Sequence, residues 1–138
     1  MKIYTTKRHI KQMNNKEKEF LNNTIRNSIK TNCENEKLTY SLHSSNRFKE
    51  KFTIELTEDD LIDTLLTGNF IEYKKIYKNN ILQDERVVLR KNMKKDSEYD
   101  LVLVYSLKDN KIITVWSNKN TDNHYSLNLD KYSRKPIC

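Results

Sequence analysis

Ser41-Leu42-His43-Ser44-Ser45-Asn46-Arg47 sets a histidine four residues before an arginine, in a chain with three histidines in all. Residues four apart on a helix share a face. Imidazole moves protons near neutral pH, and guanidinium holds a phosphate through paired hydrogen bonds. The pair points to phosphodiester chemistry, with His43 as acid–base group and Arg47 as phosphate ligand. The plainer alternative is a helix-starting histidine bonded to backbone, and an arginine paired with Glu50 or Asp60. Lys49 and Lys51 continue the basic surface, either as solvated side chains or as contacts to nucleic acid.

A second group lies further along the chain. His124 sits in the polar run Asn118-Lys119-Asn120-Thr121-Asp122-Asn123-His124, just after the last expected strand. A sheet edge followed by such a loop can bring a second proton donor to a cleft shared with His43. Two histidines on opposite sides of a phosphate permit metal-free cleavage of RNA, with the 2′-hydroxyl as nucleophile. The alternative for His124 is an ordinary loop histidine. Thr114 and Trp116 are expected on one face of the last strand, together with Ile112. Exposed, Thr114 would hydrogen-bond a phosphate and Trp116 would stack a base, with Lys119 nearby as a further contact. The alternative is packing, which is favoured for Ile112. His9, among the basic residues of the N-terminal arm, is a lesser candidate.

Other chemistries find little support. A single glycine leaves no phosphate-binding loop and no dinucleotide fingerprint, and no nucleophile elbow is present. The acidic cluster Glu58-Asp59-Asp60-Asp63 is better explained by a helix N-terminus than by a metal. Cys33 and Cys138 make neither a disulfide framework nor a zinc-ligand set. No metal or other cofactor is therefore expected. Lys and Arg outnumber Asp and Glu by 26 to 19, for a net charge of +7. That balance favours a polyanionic partner, RNA or other nucleic acid, because basic side chains release counterions on meeting phosphates. No apolar leader follows Met1-Lys2, and no apolar run approaches the roughly 20 residues that span a bilayer. The expectation is a cytoplasmic protein with no membrane partner.

The elements that must position these residues read as α+β: N-terminal helices packed on an antiparallel sheet of about four strands. Residues 1–138 read as one domain, with an arm and helix over 1–37, a core over 38–117 and a tail over 118–138. Residues 1–13 are a first strand or a loose arm. Phe20, Leu21, Thr24, Ile25, Ser28 and Ile29 recur at helical spacing, and Asn14 with Glu17 resembles a capping box. Residues 31–37 read as a polar linker. Leu38 to Leu42 alternates as a short strand would, delivering His43, and Ser44 to Phe52 reads as a short helix. Thr57 is expected as an N-cap, with Asp60 at the capping-box position and Leu56 with Leu61 as a staple. Gly68 falls where a helix exits through a left-handed residue. Four strands follow, over 70–78, 81–90, 99–107 and 111–117, with Asn79-Asn80 and Asp109-Asn110 as tight turns. Leu101-Val102-Leu103-Val104-Tyr105 is apolar on both faces and should be central.

The order Ser-x-His-x-x-x-Arg, then Thr-x-x-Asp, an amphipathic helix ending at Gly68, Phe70-Ile71-Glu72 and strands closing on Ile113-Thr114-Val115 resembles a group of small bacterial and phage domains. These are the BECR-fold ribonucleases and toxins, related to barnase, EndoU, colicin and RelE-like domains. The resemblance spans residues 39–117. It implies RNA as substrate, with His43 and Arg47 on the helix and Thr114 on the strand. Lys51 stands where such domains often carry another arginine. The expected function is a metal-independent endoribonuclease or toxin-like domain. The alternative is a non-catalytic module, phage-encoded, that binds nucleic acid or a host protein through a basic or aromatic face. A cognate inhibitor is a further expected partner. An inhibitor role for this chain itself fits poorly with its positive charge.

Overall fold

A computed structural model describes residues 2–41, 57–93, 97–119, 121 and 131–137. Its first element is β1 (Ile3–His9), which a short 3-10 turn (Ile10–Gln12) closes. Helix α1 (Asn15–Phe20) passes through a π turn (Leu21–Ile25) into α2 (Arg26–Asn35) without a break. Then come β2 (Thr39–Tyr40), α3 (Glu58–Thr67), β3 (Asn69–Lys78), β4 (Ile81–Asn92), β5 (Tyr99–Ser106) and β6 (Lys111–Lys119).

The architecture is α+β, with six strands in the order β1-β3-β4-β5-β6-β2. The antiparallel meander expected after Gly68 is β3 to β6. Two further strands correct the expected count of about four. The basic arm is a strand, paired antiparallel with β3 from Ile3↔Lys78 to His9↔Glu72. Residues 39 and 40 pair in parallel with Lys111 and Ile112, so the sheet is mixed. β5 lies between β4 and β6, as its doubly apolar sequence requires.

The described helices pack on one face of the sheet. Leu21, Ile25 and Ile29 of the long helix and Leu61 and Leu65 of α3 pack on Tyr73, Val87, Leu89, Leu101, Leu103, Tyr105, Ile112 and Val115. The helix reaches Asn35, so residues 31–35 are not a linker. Tertiary anchors override their weak helix propensity: Asn32 Nδ2 donates to the Leu107 carbonyl (2.9 Å). Asn110 Nδ2 also donates to the carbonyls of Asn32 and Glu36 (3.3 Å each), satisfying the helix C-terminus. Arg26 does the same for α3, donating to the carbonyls of Leu65 and Gly68 while lying over the Phe70 ring.

Local signals account for most boundaries. Thr57 caps α3 through a reciprocal capping box with Asp60. Leu56 of the expected staple lies outside the described residues. Asn79 and Asn80 both take positive φ (53° and 65°), as the two central residues of a type I′ hairpin turn must. At the other turn only Asn110 does (46°). Gly68 corrects an expectation: its φ is −67°, not left-handed. Glycine is needed there for close approach, since a Cβ would stand 2.5 Å from the Thr64 carbonyl oxygen.

At the far edge of the sheet, Arg8 and Glu17 form a buried bidentate pair (2.9 and 2.7 Å). The same Arg8 donates to the Ser133 carbonyl, and the Ile137 N–H donates to Glu17. Residues 131–137 are thereby fastened along β1, where Ser133 N also donates to the Lys7 carbonyl.

Candidate nucleic-acid interface

Register and alternation define what the sheet presents on the face opposite the described helices. One cross-strand row runs Lys7–Lys74–Arg86–Ser106–Lys111, and the next runs His9–Glu72–Val88–Val104–Thr114. A third contains Asn69, Arg90, Val102 and Trp116. Thr114 and Trp116 therefore do share a face, and both are half-buried. Ile112 does not join them. A bulge leaves Thr114 opposite Val104 but Ile112 opposite Tyr105, so Ile113 is the extra residue. Ile112 turns into the helix-side core, where it is fully buried with Val115.

The bulge is bound by the residue that follows β2. Ser41 N donates to the Ile112 carbonyl (2.9 Å) and Ser41 Oγ to the Ile113 carbonyl (2.6 Å). Arg90 stands in the row of Trp116, held by Asp100 (2.6 Å) and by the Lys119 carbonyl (3.2 Å). Lys119 itself is exposed at the end of β6. Of the expected site residues, Thr114, Trp116 and Lys119 thus lie on one strand. His43, Arg47, Lys49, Lys51 and His124 lie outside the described residues.

The basic row was not foreseen. Lys7, Lys74 and Arg86 sit side by side on β1, β3 and β4, an arrangement of like charges that costs stability unless something negative answers it. Glu72 lies 3.5 Å from Lys7, and Asp84 accepts from Arg86 (3.0 Å) and from Ser106. Lys74 makes no ion pair among the described residues. Burial, then the charges of Arg86 and Lys7, holds its ammonium pKa below the ordinary lysine value. No local motif announces this row. Its members come from segments far apart in sequence, and only strand register unites them.

His9 is structural. It is buried, its Nδ1 accepts from Lys11 N (3.1 Å), and its ring meets the edge of Tyr132. Burial keeps its pKa below the ordinary histidine value, which favours the neutral ring that such a cap needs. On the helix side, a cleft of about 440 Å³ is lined by Ser28, Asn32, Gln83, Asp84, Glu85 and Lys108, among others. Its carboxylates are already engaged: Asp84 by Ser106 and Arg86, Glu85 by the Tyr73 hydroxyl. Among the described residues no group of three or more His, Cys, Asp or Glu converges as metal ligands would, and no helix is long and apolar enough to cross a membrane. No protein-family model, curated protein or solved structure matches this chain.

Proposed function

We propose that the protein acts on RNA across the sheet face opposite its described helices, as a metal-independent endoribonuclease or toxin-like domain of the BECR type. One observation carries the reading. Thr114 and Trp116 lie on the face opposite the described helices, beside the bulge that Ser41 binds, and His43 follows Ser41 by two residues. Two residues of chain reach about 7 Å at most. In this reading Trp116 stacks a base, Thr114 donates to a phosphate oxygen and Arg47 neutralises it. One imidazole of the pair His43 and His124 takes the 2′-hydroxyl proton as that oxygen attacks phosphorus. The other protonates the departing 5′-oxygen, leaving a cyclic phosphate and a free 5′-hydroxyl. Such a protein would work in the cytoplasm, restrained by a cognate inhibitor.

The basic row favours a second reading, a module that binds nucleic acid or a host protein without cutting it. Lys7, Lys74 and Arg86 would supply affinity there, and the histidines would be dispensable. Incubation with labelled single-stranded RNA, with and without EDTA, separates the two. Cleavage that survives EDTA and is lost in His43→Ala and reduced in Trp116→Ala supports the nuclease. Binding without cleavage supports the module. RNA neither bound nor cut removes both.

A further inference from the structure

The exposed large apolar side chains of the described residues, Ile3, Tyr4, Ile81 and Leu82, gather at one corner of the sheet. Register explains the cluster. Tyr4 lies opposite Tyr77, and Tyr77 opposite Leu82, so the three form a column across β1, β3 and β4. The two rings are stacked, with centroids 4.9 Å apart and planes inclined by 12°. β1 is the edge strand, so the column ends at the outer side of Tyr4, which is 38% exposed. The corner is also held in place: Asn79 N donates to the Lys2 carbonyl (2.9 Å), and Lys2 N to Asn79 Oδ1 (3.2 Å).

Charge says what completes the column. No acidic residue occurs in residues 1–16 or 73–83, which carry Lys2, Lys75 and Lys78; alternation sets Lys75 on the face of the rings and Lys78 on the other. Glu85, across from Lys75, is held by the Tyr73 hydroxyl, and Glu72 and Asp84 are held by Lys7 and Arg86. Lysines alone are a common guard on an exposed edge. A flat aromatic stack open at one end, on two segments that carry lysines and no acid, asks for more. It matches an unpaired nucleobase joined to phosphates. A duplex offers no free base face at such an edge.

We infer that the Tyr4–Tyr77 stack at the β1 edge is a base-stacking platform for single-stranded nucleic acid, separate from the Thr114–Trp116 surface. The inference rests on the RNA reading above and adds its strand preference. Fluorescence anisotropy with a labelled single-stranded RNA and its duplex, at low salt, tests it. Tyr4→Ala should weaken single-strand binding about tenfold, as loss of one base–aromatic stack does, while Tyr4→Phe binds as wild type. Tyr4→Leu, which still covers Tyr77 without a flat ring, should behave as Tyr4→Ala even where alanine impairs folding. Wild-type protein that binds neither RNA would defeat the RNA reading itself. Single-strand binding unaffected by Tyr4→Leu, or an equal loss on duplex, would overturn the platform alone. A dimer abolished by Ile81→Ser would also overturn it, in favour of a second copy on this corner.

Discussion

Replacing Glu17 by alanine should destabilise the fold by about 3–5 kcal/mol, the usual cost of stranding one member of a buried ion pair. Glu17 is fully buried and Arg8 is 4% exposed. The carboxylate accepts from Arg8 Nε and Nη2, from Asn14 N in the helix cap and from Ile137 N. Alanine removes all four bonds at once. Arg8 keeps the carbonyls of Ser133 and Gln12, which places the loss nearer the lower figure. Against a typical total of about 5–15 kcal/mol, the variant should fold but unfold at much lower urea. Arg8→Met with Glu17→Leu should lose less than Glu17→Ala, since no charge is then left buried alone. The pair also has a pH signature. Burial alone would raise the Glu17 pKa, but the Arg8 guanidinium and the Asn14 and Ile137 N–H groups outweigh it and hold it below the usual carboxylate value. A depressed folded pKa contributes stability that is fully present above the unfolded value, about 4.3, and is lost as pH falls toward the folded one. The stability gap between wild type and Glu17→Gln should therefore be flat above about pH 5 and close in acid. Urea unfolding followed by circular dichroism reads both. A Glu17→Ala loss below about 1 kcal/mol, the range of an exposed pair, would refute the reasoning.

Thr57→Ala should cost about 1 kcal/mol, the worth of an N-cap, and an unchanged urea midpoint would count against the capping box described for α3. Gly68→Ala should cost about 1–3 kcal/mol through overpacking against the Thr64 carbonyl, measured the same way, although its φ suits any residue. In the nuclease reading, His43→Ala should slow cleavage about 100-fold or more with the far-UV spectrum unchanged. The wild-type rate should then titrate near histidine's reference value of about 6.5, and a flat pH–rate profile would remove the acid–base role.

Local chemistry was readable wherever one residue type answers one backbone demand. Thr57 with Asp60, the Asn79-Asn80 turn and the doubly apolar β5 are such cases. Features that depend on pairing were not. The pairing of β1 with β3 joins residues about seventy apart, and nothing in a basic arm states its partner. Strict alternation puts Ile112 on the wrong face because it counts straight through Ile113, where the bulge resets it. The continuation of α2 to Asn35 rests on Asn32 and Asn110, whose side chains read locally as turn formers. Of the candidate site, the Thr114–Trp116 face was legible from spacing, and the Lys7–Lys74–Arg86 row only from register.

The π turn at Leu21–Ile25 resolves an oddity of spacing. Glu17, Leu21, Ile25 and Ile29 are all buried, and each stands four residues from the last. At about 100° per residue, three such steps would wind a straight α-helix roughly 120° around its axis and carry one end off the core. The wider turn absorbs one residue, so the pattern acts as four-three-four and stays on a single line. The helix therefore holds a spare position among the exposed Asn22, Asn23 and Thr24. Deleting one of them should leave Ile29 in place and restore regular winding. A deletion in mid-helix, ordinarily ruinous to everything beyond it, would here be absorbed by the geometry.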